Sequence, residues 1–260
     1  MSPKYPRGLL LDIDGTVLDA GRLLEGAAEA IDRLRARGVP LLFATNTSRK
    51  SRAEVAASLR DAGLEADDSA ILSASYAAAE LLRAEGVTRV QLLLSPGAAE
   101  DYAGFTVTSE RPEAVVVGDM GPAFTFDVLN SAFRSLHGGA RLVATQKNRH
   151  WKSADGWTLD AGAFVAALEY GARVEAEIVG KPAPGFFRMA ARLLGVEPGE
   201  LAIVGDDLES DMAGGRRCGL TTFLVRTGKF REDRLAGAPA DQTPDAVLDS
   251  IRDVPARFGA

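Results

Sequence analysis

Short aliphatic runs recur along the chain, and each ends abruptly in polar residues. The first is Leu9-Leu10-Leu11, the kind of run a parallel strand buried on both faces requires. Val39 to Ala44, Val90 to Leu94, Ala114 to Val117, Arg141 to Thr145, Ile178 to Gly180, Leu201 to Val204 and Thr222 to Val225 repeat the pattern. Between them the apolar period lengthens to that of a helix. Leu24 to Arg37 carries Ala28, Ile31 and Leu34 on one face, with Gly38 as its stop. Ser51-Arg-Ala-Glu54 has the reciprocal capping pattern, opening a helix that buries Val55 and Leu59. Further helices are predicted over Thr125 to Leu136, Gly162 to Tyr170, and from Pro184 through Phe187, Ala190, Ala191 and Leu194. Asp245 to Asp253, with Ala246, Val247, Leu248 and Ile251, is read as a terminal helix. The alternation of strand and helix predicts an α/β fold.

The polar residues at the strand ends are the candidate chemistry, because ligands of open α/β sheets bind at the carboxyl ends of the strands. Asp12 and Asp14 follow the first run two residues apart, so the strand period turns both carboxylates to one side before Gly15 lets the chain turn away. Two adjacent carboxylates repel. The pair implies a hard cation such as Mg²⁺, a raised pKa on one member, or both. A calcium loop of the EF-hand type is excluded, since Thr16, Val17 and Leu23 occupy its required ligand, Gly and Glu positions. Thr45-Asn46-Thr47-Ser48 ends the second run and could donate to phosphate oxygens. Gly180-Lys181 is not a nucleotide-binding loop, because Pro182 stands where Ser or Thr is needed. Leu201 to Val204 runs into Gly205-Asp206-Asp207-Leu208-Glu209-Ser210-Asp211, too acidic beside a buried strand to serve only solubility.

Composition narrows the class further. The 260 residues, 46% hydrophobic and 25% charged, suit a soluble α/β protein with a sizeable core. A net charge of −6 argues against a nucleic-acid partner. The single Cys218 allows no internal disulfide or cysteine metal cluster, and suits a reducing cytoplasm. Lys4 and Arg7 precede an apolar stretch, but Asp12 interrupts it too early for a signal peptide, and no run is long enough for a membrane span. Neither His137 nor His150 has a triad partner nearby in sequence. Asn148-Arg149-His150-Trp151-Lys152 and Gly118-Asp119-Met120-Gly121-Pro122 are read as loops, the first of which could meet an anionic or aromatic leaving group.

Four elements in order, Asp12-Ile-Asp14-Gly-Thr16, Thr45-Asn46, Lys181 and Gly205-Asp206-Asp207 with Asp211, closely resemble the haloacid dehalogenase (HAD) superfamily. The resemblance covers essentially the whole chain. The long segment before Val179-Gly180-Lys181-Pro182 looks like that of the C2-capped, NagD-like subgroup. Thr45 to Ser48, Ala166 to Tyr170 and Val225 to Lys229 look most like its HDHD2 type, with phospholysine/phosphohistidine/pyrophosphate phosphatases as near relatives. It implies a doubly wound parallel-sheet core, residues 1–76 and 178–260, interrupted by a C2-type α/β cap over 77–177.

By the same resemblance the chain is a Mg²⁺-dependent phosphatase of a small phosphorylated metabolite, with no nucleic-acid or membrane partner and a homo-oligomer left open. Asp12 is the implied nucleophile, forming an aspartyl-phosphate, and Asp14 the acid and base. Asp12, Asp14 through its backbone carbonyl, and Asp206 are the implied metal ligands. Asp207 and Asp211 stand outside them, while Thr45, Asn46 and Lys181 hold the phosphoryl group. Several members of the subgroup carry Ser where this chain has Asp14. A poor alkoxide leaving group needs that proton, so Asp14 favours phosphate monoesters over pyrophosphate or phosphoramidate. A phospho-receiver fold is about half this length, and carbon–halogen hydrolysis needs neither Asp14 nor Asp206. A pyrophosphatase or phosphohistidine/phospholysine phosphatase is one alternative, and a non-catalytic role, binding a phosphorylated ligand or a protein partner, is another.

Overall fold

The computed structural model describes residues 6–153 and 156–259. Lys4 and the side chains of Trp151 and Lys152 lie outside that description. Two compact units are present, one of residues 1–45, 55–72 and 181–260, the other of residues 46–54 and 73–180.

The first unit is built on a six-stranded sheet. Its order is Ala246–Leu248, Thr221–Val225, Leu201–Gly205, Gly8–Asp12, Leu41–Thr45 and Ile71–Ser73. Gly8–Asp12 is central, paired in parallel with Leu201–Gly205 on one side and Leu41–Thr45 on the other. Leu9, Leu10 and Leu11 are fully buried, each worth about 1.5–3 kcal/mol of burial. Helix Ala27–Ala36 packs Ile31 and Leu34 onto one face together with Val55 and Leu59 of helix Arg52–Asp61. Strand order reverses at the central strand. This makes its carboxyl end the switch point where open sheets form a crevice.

The second unit holds a five-stranded parallel sheet in the order Glu177–Ile178, Arg141–Ala144, Ala114–Val117, Arg89–Leu93 and Thr106–Val107. Helices Phe126–His137 and Ala161–Ala172 cover it through Ala132, Leu136, Val165 and Leu168, which pack with Val115, Val117 and Leu142. Thr125 caps the first of these helices by accepting from Val128 N.

The structure corrects two readings. Asp245 to Asp253 is not a helix: Ala246–Leu248 is an edge strand parallel to Thr221–Val225, followed by a single turn at Ile251–Asp253. Three consecutive apolar residues suit an edge strand, and Asp245 fastens it by accepting from Thr222 N and Oγ1 at 2.8 and 2.9 Å. The Asn148–Lys152 stretch is not simply a loop either, since His150–Ser153 pairs antiparallel with Gly156–Leu159. Helix Ala74–Ala84, capped by Ser73, was not anticipated; alanines make up most of its buried face.

Candidate active site

The acidic residues converge because two neighbouring strands end together. Asp12 is the last residue of the central strand. Beyond it the Ile13 carbonyl accepts from Val17 N at 2.9 Å and Leu18 N at 2.8 Å, folding Asp14 to Val17 into a tight turn. The adjacent strand ends at Gly205 and delivers Asp206 and Asp207. The chain then enters a wide helical turn over Leu208–Ala213, in which Asp207 O accepts from both Asp211 N and Met212 N. Widened turns of this kind concentrate at functional sites. Asp207 Oδ1 caps the turn by accepting from Glu209 N and Ser210 N. One turn later Asp211 returns to the strand end, where its Oδ2 accepts from Asp207 N at 3.3 Å.

Lys181 joins the cluster. Its Nζ donates to Asp12 Oδ1 at 2.5 Å and to Asp211 Oδ1 at 2.7 Å, with its side chain only 3% exposed. Oxygen atoms of Asp12, Asp206 and Asp211 all lie within 4.8 Å of one another. Burial pushes the Asp12 carboxyl up to about 6, against the pull of Lys181 and with the help of Asp206. Burial likewise raises Asp206 to about 6 and Asp211 to about 7. For Lys181 burial favours the neutral amine, but Asp12 and Asp211 overcome it and raise the pKa. Asp207 differs: burial opposes ionisation, yet the Lys229 ammonium and two backbone N–H groups hold it down at about 2. Three clustered carboxylates thus face one ammonium, leaving two surplus negative charges when all four are ionised. A divalent cation would balance them with oxygen donors of the right chemistry.

Among the other expected residues, Asp14 is exposed and outside the three-carboxylate group, but near enough that its charge helps raise Asp12. Thr45 is buried at the end of strand Leu41–Thr45. Asn46, the next residue, falls in the second unit. Sequence reasoning expects Asp211 just outside the metal ligands, and one of its carboxylate oxygens lies within 4.8 Å of oxygens of Asp12 and Asp206. That reasoning overlooked Thr16, whose hydroxyl donates to Asp12 Oδ2 at 3.4 Å, and Lys229. The signal for Lys229 was its place just after the carboxyl end of a third sheet strand.

Known proteins resemble this chain in sequence and in fold. A family model described as haloacid dehalogenase-like hydrolase matches residues 9–107, and a second, HAD-hydrolase-like, matches residues 178–254. The phospholysine phosphohistidine inorganic pyrophosphate phosphatase of Homo sapiens is 36% identical over 86% of this chain and 84% of its own. The chain belongs to the haloacid dehalogenase-like hydrolases. The sugar-phosphatase AraL of Bacillus subtilis is 38% identical, over 97% of this chain and 93% of its own. NagD from E. coli superposes with a TM-score of 0.89 at 27% identity, covering 96% of this chain and 98% of that one. A p-nitrophenyl phosphatase from Archaeoglobus fulgidus gives 0.89 at 29% identity, with 97% and 99% covered. This is therefore a NagD-like HAD hydrolase of phosphate esters, with a core and a cap domain. HAD phosphatases are metal-dependent, and the buried carboxylates provide the corresponding donor set. No helix among the described residues is long and apolar enough to cross a membrane.

Proposed function

We propose that this HAD hydrolase is a Mg²⁺-dependent phosphatase of small phosphate monoesters, working through an aspartyl-phosphate. The observation that carries the reading is the buried triad of Asp12, Lys181 and Asp211 beside Asp206 at the carboxyl end of the central strand. Asp12 attacks phosphorus in line while the alcohol leaves. Two negative charges approaching to ~4 Å repel by about 4 kcal/mol at an effective dielectric of 20, so the approach needs cationic help. Lys181 supplies part of it, pairing with the nucleophile and offering charge to the phosphoryl oxygens.

Asp12 and Asp206, with the backbone carbonyl of Asp14, would hold Mg²⁺, which when bound neutralises charge on the carboxylates and on the phosphoryl group. Asp207 and Asp211 orient the groups around it. Thr45 and Asn46 hold the phosphoryl oxygens. Asp14, exposed two residues beyond Asp12, protonates the departing oxygen and then takes a proton from the hydrolytic water.

Ester chemistry is favoured over pyrophosphate or phosphoramidate because Asp14 supplies the proton an alkoxide requires. Relatives named for sugar phosphates, p-nitrophenyl phosphate and glycerol phosphate support the same class. The test is phosphate release from p-nitrophenyl phosphate and a panel of sugar phosphates, glycerol phosphate, pyrophosphate and phospholysine, with Mg²⁺, with EDTA, and with Asp12→Asn. Mg²⁺-dependent turnover of esters, lost in Asp12→Asn, supports the proposal. Turnover that survives Asp12→Asn removes the nucleophile, and preference for pyrophosphate or phospholysine removes the ester assignment. Folded, Mg²⁺-loaded protein that turns over nothing overturns the catalytic reading in favour of a binding role.

A further inference from the structure

Strand Thr221–Val225 runs into a loop that the reaction above leaves unused. Two bonds fasten the loop to the site. Thr227 Oγ1 donates to the Gly15 carbonyl at 2.5 Å, and Lys229 N donates to Asp206 Oδ2 at 2.7 Å. Between them Gly228, at φ +57°, lies against Gly15, at φ +86°. A Cβ on Gly228 would stand 2.6 Å from the Gly15 Cα, and a Cβ on either glycine would overlap Asp206 Oδ2. Both backbones are also in the left-handed region that side chains disfavour.

Asp206 Oδ2 is therefore enclosed by two bare glycine backbones and bonded to an N–H, while Oδ1 has no hydrogen-bond partner among the described residues. Arg231 braces the loop from outside, donating to the carbonyls of Gly228 at 3.3 Å and Phe230 at 2.6 Å. The Lys229 ammonium reaches Asp207 at 2.9 Å, but its side chain is 67% exposed, so solvent screens that pair.

We infer that Thr227 and Gly228, with the Lys229 N–H, are the positioning element for Asp206. They immobilise one carboxylate oxygen and leave the other to a divalent cation. Fixing a ligand before the cation arrives removes the cost of ordering it on binding. The inference rests on Asp206 being a cation ligand, as proposed above.

The test measures Mn²⁺ affinity by the electron paramagnetic resonance signal of the free ion, together with the Mg²⁺ concentration for half-maximal activity. Gly228→Ala should weaken cation binding roughly 10–100-fold. Thr227→Val should weaken it about fivefold, the worth of one hydrogen bond, and Thr227→Ser should restore it. In Thr227→Val the loss of activity should be recovered at saturating Mg²⁺, a split between activation constant and kcat that simple destabilisation does not produce. Should Gly228→Ala fail to fold, the Thr227 pair decides. Unaltered Mn²⁺ affinity in Thr227→Val and in folded Gly228→Ala, alongside loss in Asp206→Asn, overturns the positioning role alone. Unaltered affinity in Asp206→Asn overturns the ligand assignment beneath it.

Discussion

Lys181 Nζ and Asp12 Oδ1 lie 2.5 Å apart although 169 positions separate them in the chain, and neither side chain is more than 11% exposed. The same ammonium also holds Asp211. Removing it leaves two buried carboxylates without a counter-charge. Lys181→Met should cost about 3–5 kcal/mol of stability at pH 8, by urea unfolding of the metal-free protein. Its turnover should fall roughly 10²–10³-fold even with saturating Mg²⁺. At pH 5 the stability cost should shrink, since Asp12 and Asp211 can then be neutral. A cost equal at both pH values would show that the pair contributes no charge compensation.

The carboxylate cluster sets the sign of the pH dependence. Asp12, Asp206 and Asp211 hold protons up to about 6, 6 and 7 in the folded chain, against 3.8 for an ordinary Asp. Their folded pKa values are raised, so their stability contribution is fully present below about pH 4 and lost as pH rises towards 7. Asp207, lowered to about 2, has the opposite sign, but its contribution is lost only below about pH 4. Between pH 5 and 8 the metal-free protein should therefore lose on the order of 10 °C in Tm. Mg²⁺ should flatten that slope by replacing the protons. A metal-free Tm that climbs over this range would contradict the raised carboxylates. Asp206→Asn should make the metal-free protein more stable at pH 8 while removing its response to Mg²⁺.

The exposed Asp14 gives a prediction that depends on the leaving group. Asp14→Asn should lower turnover of an alkyl phosphate about 10²–10⁴-fold. The loss should be smaller for p-nitrophenyl phosphate, whose phenolate departs without a proton. Single-turnover release of the two alcohols separates this step from hydrolysis of the intermediate. Equal losses would remove the general-acid role.

Phe187 tests the packing beneath the site. Its ring is fully buried, meets Phe186 edge-on at 5.9 Å, and lies where a Cβ on Gly214 would stand 2.5 Å away. Phe187→Ala should cost about 3–5 kcal/mol, measured by denaturant unfolding. A loss below 1 kcal/mol would mean that the surrounding helices close over the space.

What could be read in the sequence followed from how far each signal reaches. The central strand was legible because Leu9, Leu10 and Leu11 are buried on both faces, so they leave an unbroken aliphatic run. The capping pair Ser51 and Glu54 was legible because both partners lie within one helical turn. In the structure Ser51 N donates to Glu54 and Glu54 N to Ser51 Oγ, at 2.8 and 3.2 Å. Ala246–Leu248 was misread because three apolar residues fit helix and strand alike, and only pairing with Thr221–Val225 decides between them. The link from Lys229 N to Asp206 was illegible, because a backbone donor leaves no residue-type signature and its partner lies 23 positions away. The acidic residues announced themselves by composition. The backbone donors that hold Asp206 and Asp207 still did not.

The placing of Gly8–Asp12 between Leu41–Thr45 and Leu201–Gly205 has a consequence for synthesis. During synthesis one of the two hydrogen-bonding edges of Gly8–Asp12 has no partner until Leu201–Gly205, far later in the chain, emerges. At ~5–20 residues per second, that edge waits roughly 10–40 s. The contiguous span from Ser73 to Gly180 is complete shortly before then. Newborn chains must pass through an interval in which a finished inserted unit hangs from an aliphatic, half-paired strand. For this enzyme the dangerous moment for aggregation falls between synthesis of Gly8–Asp12 and that of Leu201–Gly205.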